Sequence, residues 1–187
     1  MPRIIAGVAG GRPLKVPAAA RPTADRVKEA IFSSIGPMDG AVVADLYGGS
    51  GGLAIEALSR GASGATCWES HSQAATIIAA NVRTAQVGDR FQLIAKPCEK
   101  APVHNPMGLF THLFVDPPYD YPVTTIEQAL NGLIAIGAVS EHAVLILERD
   151  KRRAGEMPTG WTLLRERIYG EALIRYGERL SSVNHTG

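Results

Sequence analysis

Val42-Val43-Ala44-Asp45-Leu46-Tyr47-Gly48-Gly49-Ser50-Gly51-Gly52-Leu53 is the stretch that decides the fold. Residues 42–46 are a short apolar run that predicts a buried strand, and residues 53–60 predict a helix closed by Gly61. Between them, Gly49, Gly51 and Ala54 fit the spacing G-x-G-x-x-[GA]. Glycines there let backbone approach a ligand closely, at the carboxyl edge of a parallel sheet. Taken alone, the pattern also fits a plain tight turn.

The alternation continues downstream. Residues 65–69 predict a strand, and residues 70–86 a helix with Ala74, Ile78, Val82 and Ala85 as its apolar stripe. Residues 91–95, 112–116 and 143–148 predict further strands, with a helix near residues 124–136. Such βαβα order implies an α/β fold with a parallel sheet and helices on both faces. The end differs. Residues 162–169 and 172–178 flank Gly170-Glu171 with no room for a helix, so they predict an antiparallel hairpin. Upstream, residues 1–20 read as an appended hairpin, with strands at 3–8 and 14–16 and a turn at Gly10-Gly11. A helix follows, capped by Thr23, with Val27, Ala30, Ile31 and Ile35 on one face. The expected organisation is a hairpin extension over 1–20 and a catalytic domain over 21–187.

The chain has 187 residues, 45% hydrophobic and 20% charged, which fits one globular unit and argues against disorder. The apolar runs at 132–139 and 143–147 fall far short of the roughly 18 residues a bilayer requires, so no membrane partner is expected. No secretory signal is visible. Cys67 and Cys98 make neither a disulfide framework nor a metal cluster, which sets a reducing cytoplasm as the expected compartment. No metal spacing appears among the histidines. Residues 1–30 carry six basic and two acidic groups, whereas residues 31–147 carry five and ten. That asymmetry leaves two readings of the amino terminus, contact with a polyanion or a solvated surface segment.

Two acids sharpen the glycine loop. Glu69 ends the second strand 20 residues after Gly49, where a carboxylate suits ribose hydroxyls. Asp45 precedes the loop, where an anion would repel a pyrophosphate. A sulfonium-bearing, phosphate-free cofactor has the opposite preference, so S-adenosylmethionine (SAM) fits better than a nicotinamide dinucleotide.

Asp116-Pro117-Pro118-Tyr119 is the most specific feature. An apolar strand delivers an acid, two prolines and an aromatic at its carboxyl end. The prolines stiffen the turn. The Asp116 carboxylate and the Pro117 carbonyl are both acceptors, which suits an amino group with two hydrogens. Tyr119 can stack on a planar ring. Accepting both N–H hydrogens of a nucleobase amine frees its delocalised lone pair for in-line attack on a methyl group, once the base leaves its stack.

With both motifs in view, the chain resembles SAM-dependent amino-methyltransferases, and most closely the RsmD family. That family methylates the exocyclic N2 amine of a guanine in bacterial 16S rRNA. The resemblance also rests on Gly10-Gly11-Arg12-Pro13-Leu14, on residues 21–32 (RPTADRVKEAIF) and on residues 56–62 (EALSRGA). It implies a Rossmann-like, seven-stranded mixed sheet with a reversed last strand and an amino-terminal hairpin. It implies SAM held by Asp45, Tyr47, Gly48, Gly49, Ser50, Gly51 and Glu69, with Asp116, Pro117, Pro118 and Tyr119 as the catalytic turn. It proposes Arg3, Arg12, Lys15, Arg21, Thr23, Arg26 and Lys28 on the RNA side, the cations as phosphate contacts. Many relatives carry Asp or Asn after strand three for the adenine amine, where this chain has Pro97. Adenine recognition then falls to backbone near Cys98 and to packing from Ser70 and His71. The implied partner is the small ribosomal subunit, with ribosomal proteins in the docking surface because one basic hairpin offers little area for naked RNA. A monomer is the default.

Lys151-Arg152-Arg153 reads as a solvated turn, Cys98 as a packed thiol and Trp68 as core. Competing functions are an adenine-N6 DNA or RNA methyltransferase, a glutamine-amide methyltransferase, a non-catalytic nucleic-acid-binding module and a nicotinamide oxidoreductase.

Overall fold

The computed structural model describes residues 2–18, 24–118 and 120–180. Among them, seven strands form one mixed sheet in the order β3-β2-β1-β4-β5-β7-β6. These are β1 (Val42–Asp45), β2 (Gly64–Trp68), β3 (Phe91–Ile94), β4 (Phe110–Val115), β5 (Val139–Asp150), β6 (Trp161–Tyr169) and β7 (Ala172–Arg179). The first five pair in parallel, and β7 runs antiparallel to both β5 and β6. The helices are α1 (Asp25–Ile35), α2 (Gly52–Ser59), α3 (Ser72–Ala85) and α4 (Val123–Ala135). The α/β order and the reversed final hairpin agree with the sequence reading.

Every residue of β1 and β2 is buried, as apolar strands covered on both faces should be. Side chains alternate between two cores. Val43 and Phe114 join Ile31, Phe32, Leu58 and Ile78 on one face. Ala44, Leu113 and Val115 join Trp68, Ile126, Leu130 and Leu133 of α4 on the other. Because the parallel strands share a direction, β1, β2 and β4 all deliver their last residues to one edge. Among the described residues no helix is long and apolar enough to cross a membrane.

The amino-terminal segment departs from expectation. It reverses, with Ile4 N–H donating to Arg12 (3.0 Å) and Leu14 N–H to Pro2 (2.8 Å). Yet among the described residues its strand pairing is one isolated antiparallel bridge, Arg3–Pro13, in place of the strands expected at 3–8 and 14–16. The reason is that the donors of residues 5, 6, 8 and 9 are spent on α2. Ile5 and Ala6 donate to the two carboxylate oxygens of Glu56 (2.8 and 3.1 Å), and Ala9 donates to Ser59 Oγ (3.0 Å). A Cβ at Gly7 would lie 1.7 Å from the Ser59 carbonyl oxygen, so only glycine permits this approach. Ile4, Ala9 and Leu14 are buried in the same core as α1 and α2. Each large apolar side chain so buried contributes about 1.5–3 kcal/mol.

Helix α1 buries Val27, Lys28, Ile31 and Phe32, with Ala30 and Ile35 only partly covered. The buried face therefore includes a lysine that the apolar stripe excluded. Ala24 occupies the N-cap without a side-chain cap, and the expected cap Thr23 lies outside the described residues. Helix α3 starts two residues later than expected, because Glu69 takes the His71 N–H (2.7 Å) and leaves that residue extended.

Candidate active site at the carboxyl edge

After β1 the chain turns sharply through the glycine loop. Leu46 N–H still bonds to Phe114 (3.0 Å) and Gly48 N–H to Trp68 (2.8 Å), so β4 and β2 hold the loop from both sides. Gly49 and Gly51 then take φ of 56° and 75°, the left-handed region that side chains rarely adopt. Glu69, at the end of β2, accepts the Gly49 N–H through Oε2 (2.9 Å) and the His71 N–H and ring Nδ1 through Oε1 (2.7 and 3.1 Å). Loop and acid, 20 residues apart in sequence, are one hydrogen-bonded unit. Ser70 is exposed beside it, with Oγ 3.3 Å from His71 Nδ1.

Asp45 is buried at the base of this unit, 1% exposed, with Oδ1 lacking a hydrogen-bond partner among the described residues. Loss of water pushes its carboxyl up to about 7, and the Asp116 charge adds to that, against backbone N–H bonds from Ala54 and Tyr47. Asp116 follows β4 on the neighbouring strand, half-buried, with Pro117 buried and Pro118 exposed after it. The Pro118 carbonyl accepts Tyr121 N–H (2.9 Å), which closes the turn. Tyr119 lies outside the described residues. Tyr121 stands edge-on to Tyr47 with ring centroids 5.1 Å apart, so the turn is packed against the glycine loop. Burial raises the Tyr47 hydroxyl well above its ordinary value and keeps it protonated.

A fourth acid, after Glu69, Asp45 and Asp116, completes the edge. Glu148, on β5, follows Leu147, whose partner on β4 is Val115, the residue before Asp116. Its Oε2 is buried with no partner among the described residues. Burial and then the Asp116 charge push this carboxyl up to about 8. The sequence reading missed Glu148. The available signal was an apolar strand ending in an acid, the pattern that marked Asp116 one strand away. It also missed Asn81, a polar residue beside the apolar stripe of α3 that is 1% exposed.

Cys98 is buried at the start of a short turn after β3, and burial and Glu99 push its thiol up to about 12. Such a thiol is a poor nucleophile and packs as expected. Lys151-Arg152-Arg153 lies closer to the turn than its sequence context indicated. Arg153 pairs with Asp120, Lys151 with Glu171 (3.1 Å), and Arg149 donates to the Tyr121 carbonyl (3.2 Å).

The candidate RNA-facing residues divide. Arg3, Lys15 and Arg26 are exposed. Arg12 is partly engaged, donating to the Thr84 carbonyl (2.9 Å) and Gln86 Oε1 (3.2 Å) at the end of α3. Lys28 corrects the expectation. It is 2% exposed, donates to the Arg3 carbonyl (2.6 Å) and lies 3.7 Å from both Asp25 and Glu56, so it cannot meet a phosphate at the surface. Arg21 and Thr23 lie outside the described residues.

A family profile described as "Conserved hypothetical protein 95" matches residues 2–178. YlbH of Bacillus subtilis, assigned as an rRNA methyltransferase, is 35% identical over 159 residues, covering 80% of this chain and 83% of its own. Ribosomal RNA small subunit methyltransferase D of Escherichia coli is 32% identical over 185 residues, covering 95% and 89%. Among solved structures, yhhF of Escherichia coli, assigned as a methyltransferase, superposes with a TM-score of 0.80 at 31% identity, covering 96% of this chain and 98% of that one.

Proposed function

Because the chain belongs to the conserved hypothetical protein 95 family, the RsmD family, we propose that it methylates the exocyclic N2 amine of a guanine in 16S rRNA. The methyl donor that accompanies this class of fold is SAM. The residues present fit such a cofactor. The loop is clamped by a carboxylate, Asp45 keeps an orphan oxygen at its base, and the charged groups that act on Asp45 are the acids Asp116 and Glu69. A pyrophosphate would be repelled there, whereas a sulfonium is attracted. Glu69 keeps lone pairs for ribose hydroxyls. Backbone near Cys98, after β3, and Ser70 and His71, after the neighbouring β2, are the groups expected to take the adenine.

When bound, SAM supplies an electrophilic methyl carbon on sulfur. The rest is the work of this chain. The Asp116 carboxylate and Pro117 carbonyl accept the two amine hydrogens, so the nitrogen lone pair turns toward the methyl carbon. With the donor held there, the N–C bond would form as the C–S bond breaks, its electron pair staying on sulfur. The surplus proton on nitrogen passes to Asp116 or to water. Tyr119 is placed in sequence to stack on the extruded base. Exposed Arg3, Lys15 and Arg26 supply phosphate contacts, together with Arg12 once it releases the end of α3.

The observation that carries this reading is the meeting at one sheet edge of the Gly49–Glu69 unit with the Asp116 turn. The test is methyl transfer from radiolabelled SAM to under-methylated small subunits, naked 16S rRNA and duplex DNA in parallel. N2-methylguanosine in the subunits is the expected product. Label in DNA instead would mean an adenine-type enzyme on the same fold.

A further inference from the structure

Asn81 occupies an unusual place in the frame around the site. It sits on α3, buried, and its amide touches two other parts of the chain. Its Oδ1 accepts the Lys15 N–H (2.8 Å), and its Nδ2 donates to the Lys15 carbonyl (2.8 Å) and to the Ser50 carbonyl (2.8 Å). Lys15 belongs to the basic amino-terminal segment, and Ser50 to the glycine loop. The partners fix the amide's orientation, since an N–H needs the oxygen and two carbonyls need the nitrogen. Aspartate lacks the donors and leucine lacks both functions.

The segment has other anchors, and they do not reach the loop. Glu56 and Ser59 hold residues 5, 6 and 9 from α2, and Thr84 and Gln86 hold Arg12. The loop's other anchors, Glu69 at Gly49 and the strands β2 and β4 at its start, do not reach the segment. Asn81 is thus the hydrogen-bonded bridge between the loop that would hold the cofactor and the segment that would grip RNA. We infer that Asn81 is a positioning residue that couples the two, so that filling the cofactor loop and engaging RNA favour each other. This rests on the proposed function, because it takes the loop for SAM and the segment for RNA. The physical basis is shared ordering. A loop fixed by its ligand holds the Ser50 carbonyl still, which holds the amide, which fixes the backbone at Lys15. RNA gripping the segment does the same in reverse, as linkage requires.

Affinity for radiolabelled S-adenosylhomocysteine, the reaction's by-product, is to be measured by equilibrium dialysis against the full chain. It is measured alone and with saturating under-methylated small subunits. The native chain should bind it more tightly with subunits by a factor of roughly 5 or more, the usual floor for coupled sites. Asn81→Leu should bring that ratio close to one, and so should Asn81→Asp, which keeps the acceptor and loses both donors. Ser59→Ala, which loosens the same segment without touching the loop, should keep the native ratio. That control separates coupling from general loosening. A native ratio of one, or an Asn81 variant with the native ratio, overturns the inference. If the proposed function itself fails, the chain binds no S-adenosylhomocysteine or methylates no subunits, which is a different result from binding both without linkage.

Discussion

Glu56 and the pair Asp45 and Glu148 are all buried acids, held by opposite means. Glu56 is fully enclosed and saturated. It accepts Ile5 and Ala6 N–H groups, pairs with Arg60 at 2.7 Å and faces the buried Lys28 at 3.7 Å. Asp45 and Glu148 each keep a buried oxygen with no partner among the described residues, and each has its carboxyl pushed upward. An acid satisfied at every oxygen is structural, because its desolvation is offset within the chain. An acid left short costs folding energy unless something arrives to complete it. The difference separates an amino-terminal lock from a carboxyl-edge site that calls for a cation.

The largest effect should come from the reacting edge. Asp116→Ala should lower methyl transfer at least about a hundredfold, within the range seen for a lost acid–base group. Affinity for SAM should stay near native, because the proposed cofactor site is the loop and Glu69 and does not need it. Loss of SAM binding with the fold intact would move Asp116 out of the catalytic role. Next comes the lock. Glu56→Ala leaves the buried Lys28 with Asp25 as its remaining acid and the Arg3 carbonyl as its acceptor, and frees two backbone donors, so it should cost about 3–5 kcal/mol in urea unfolding. Asp45→Asn should do the reverse, costing nothing or raising stability at pH 8, while weakening SAM binding. If both variants destabilise alike, the contrast between the two acids is wrong.

The same contrast has a pH signature. Asp45 and Glu148 have folded values of about 7 and about 8, above their ordinary 3.8 and 4.5. The unfolded chain therefore gives up these protons first. Stability carries no penalty from them below about pH 4, falls as pH rises from there, and reaches the full penalty above about pH 8. Asp45→Asn and Glu148→Gln should each flatten the fall of urea midpoint with pH across that window. SAM favours the ionised forms, so its affinity should rise between pH 6 and 8. Titration calorimetry in buffers of different ionisation heat should show protons released on binding.

The succession of strands and helices along the chain, the glycine loop and the strand-end acids Asp45, Glu69 and Asp116 were legible because each lies on a regular period or a fixed local spacing. What sequence could not show was which polar groups meet across the fold. Glu148 joins Asp116 only because β5 lies beside β4. Lys28 sits at an ordinary helical position, and its burial follows from Glu56, 28 residues away. The amino terminus reverses as expected but forms only an isolated antiparallel bridge in place of two strands, because several of its N–H groups bond to side chains of α2, a competition no local pattern reveals. Asn81 interrupts an apolar face, the one local sign that it bonds to something distant.

The lock also predicts which cations are free to meet RNA. Lys15 and Arg26 are exposed, and so is Arg3 although it lies 3.9 Å from Asp25, whereas Lys28 is buried and spent on Glu56 and Asp25. For each exposed cation that neutralises a phosphate, the slope of log affinity against log salt should shrink by about 0.7–0.9. Arg3→Ala, Lys15→Ala and Arg26→Ala should each weaken binding to small subunits modestly and by that step, with melting temperature unchanged. Lys28→Met should leave the slope alone and change the melting temperature instead. Filter binding over a salt series reads the first effect and thermal unfolding the second. A reduced slope for Lys28→Met in a chain that melts like the native one would place that ammonium on the RNA, against the buried position it holds beneath Arg3.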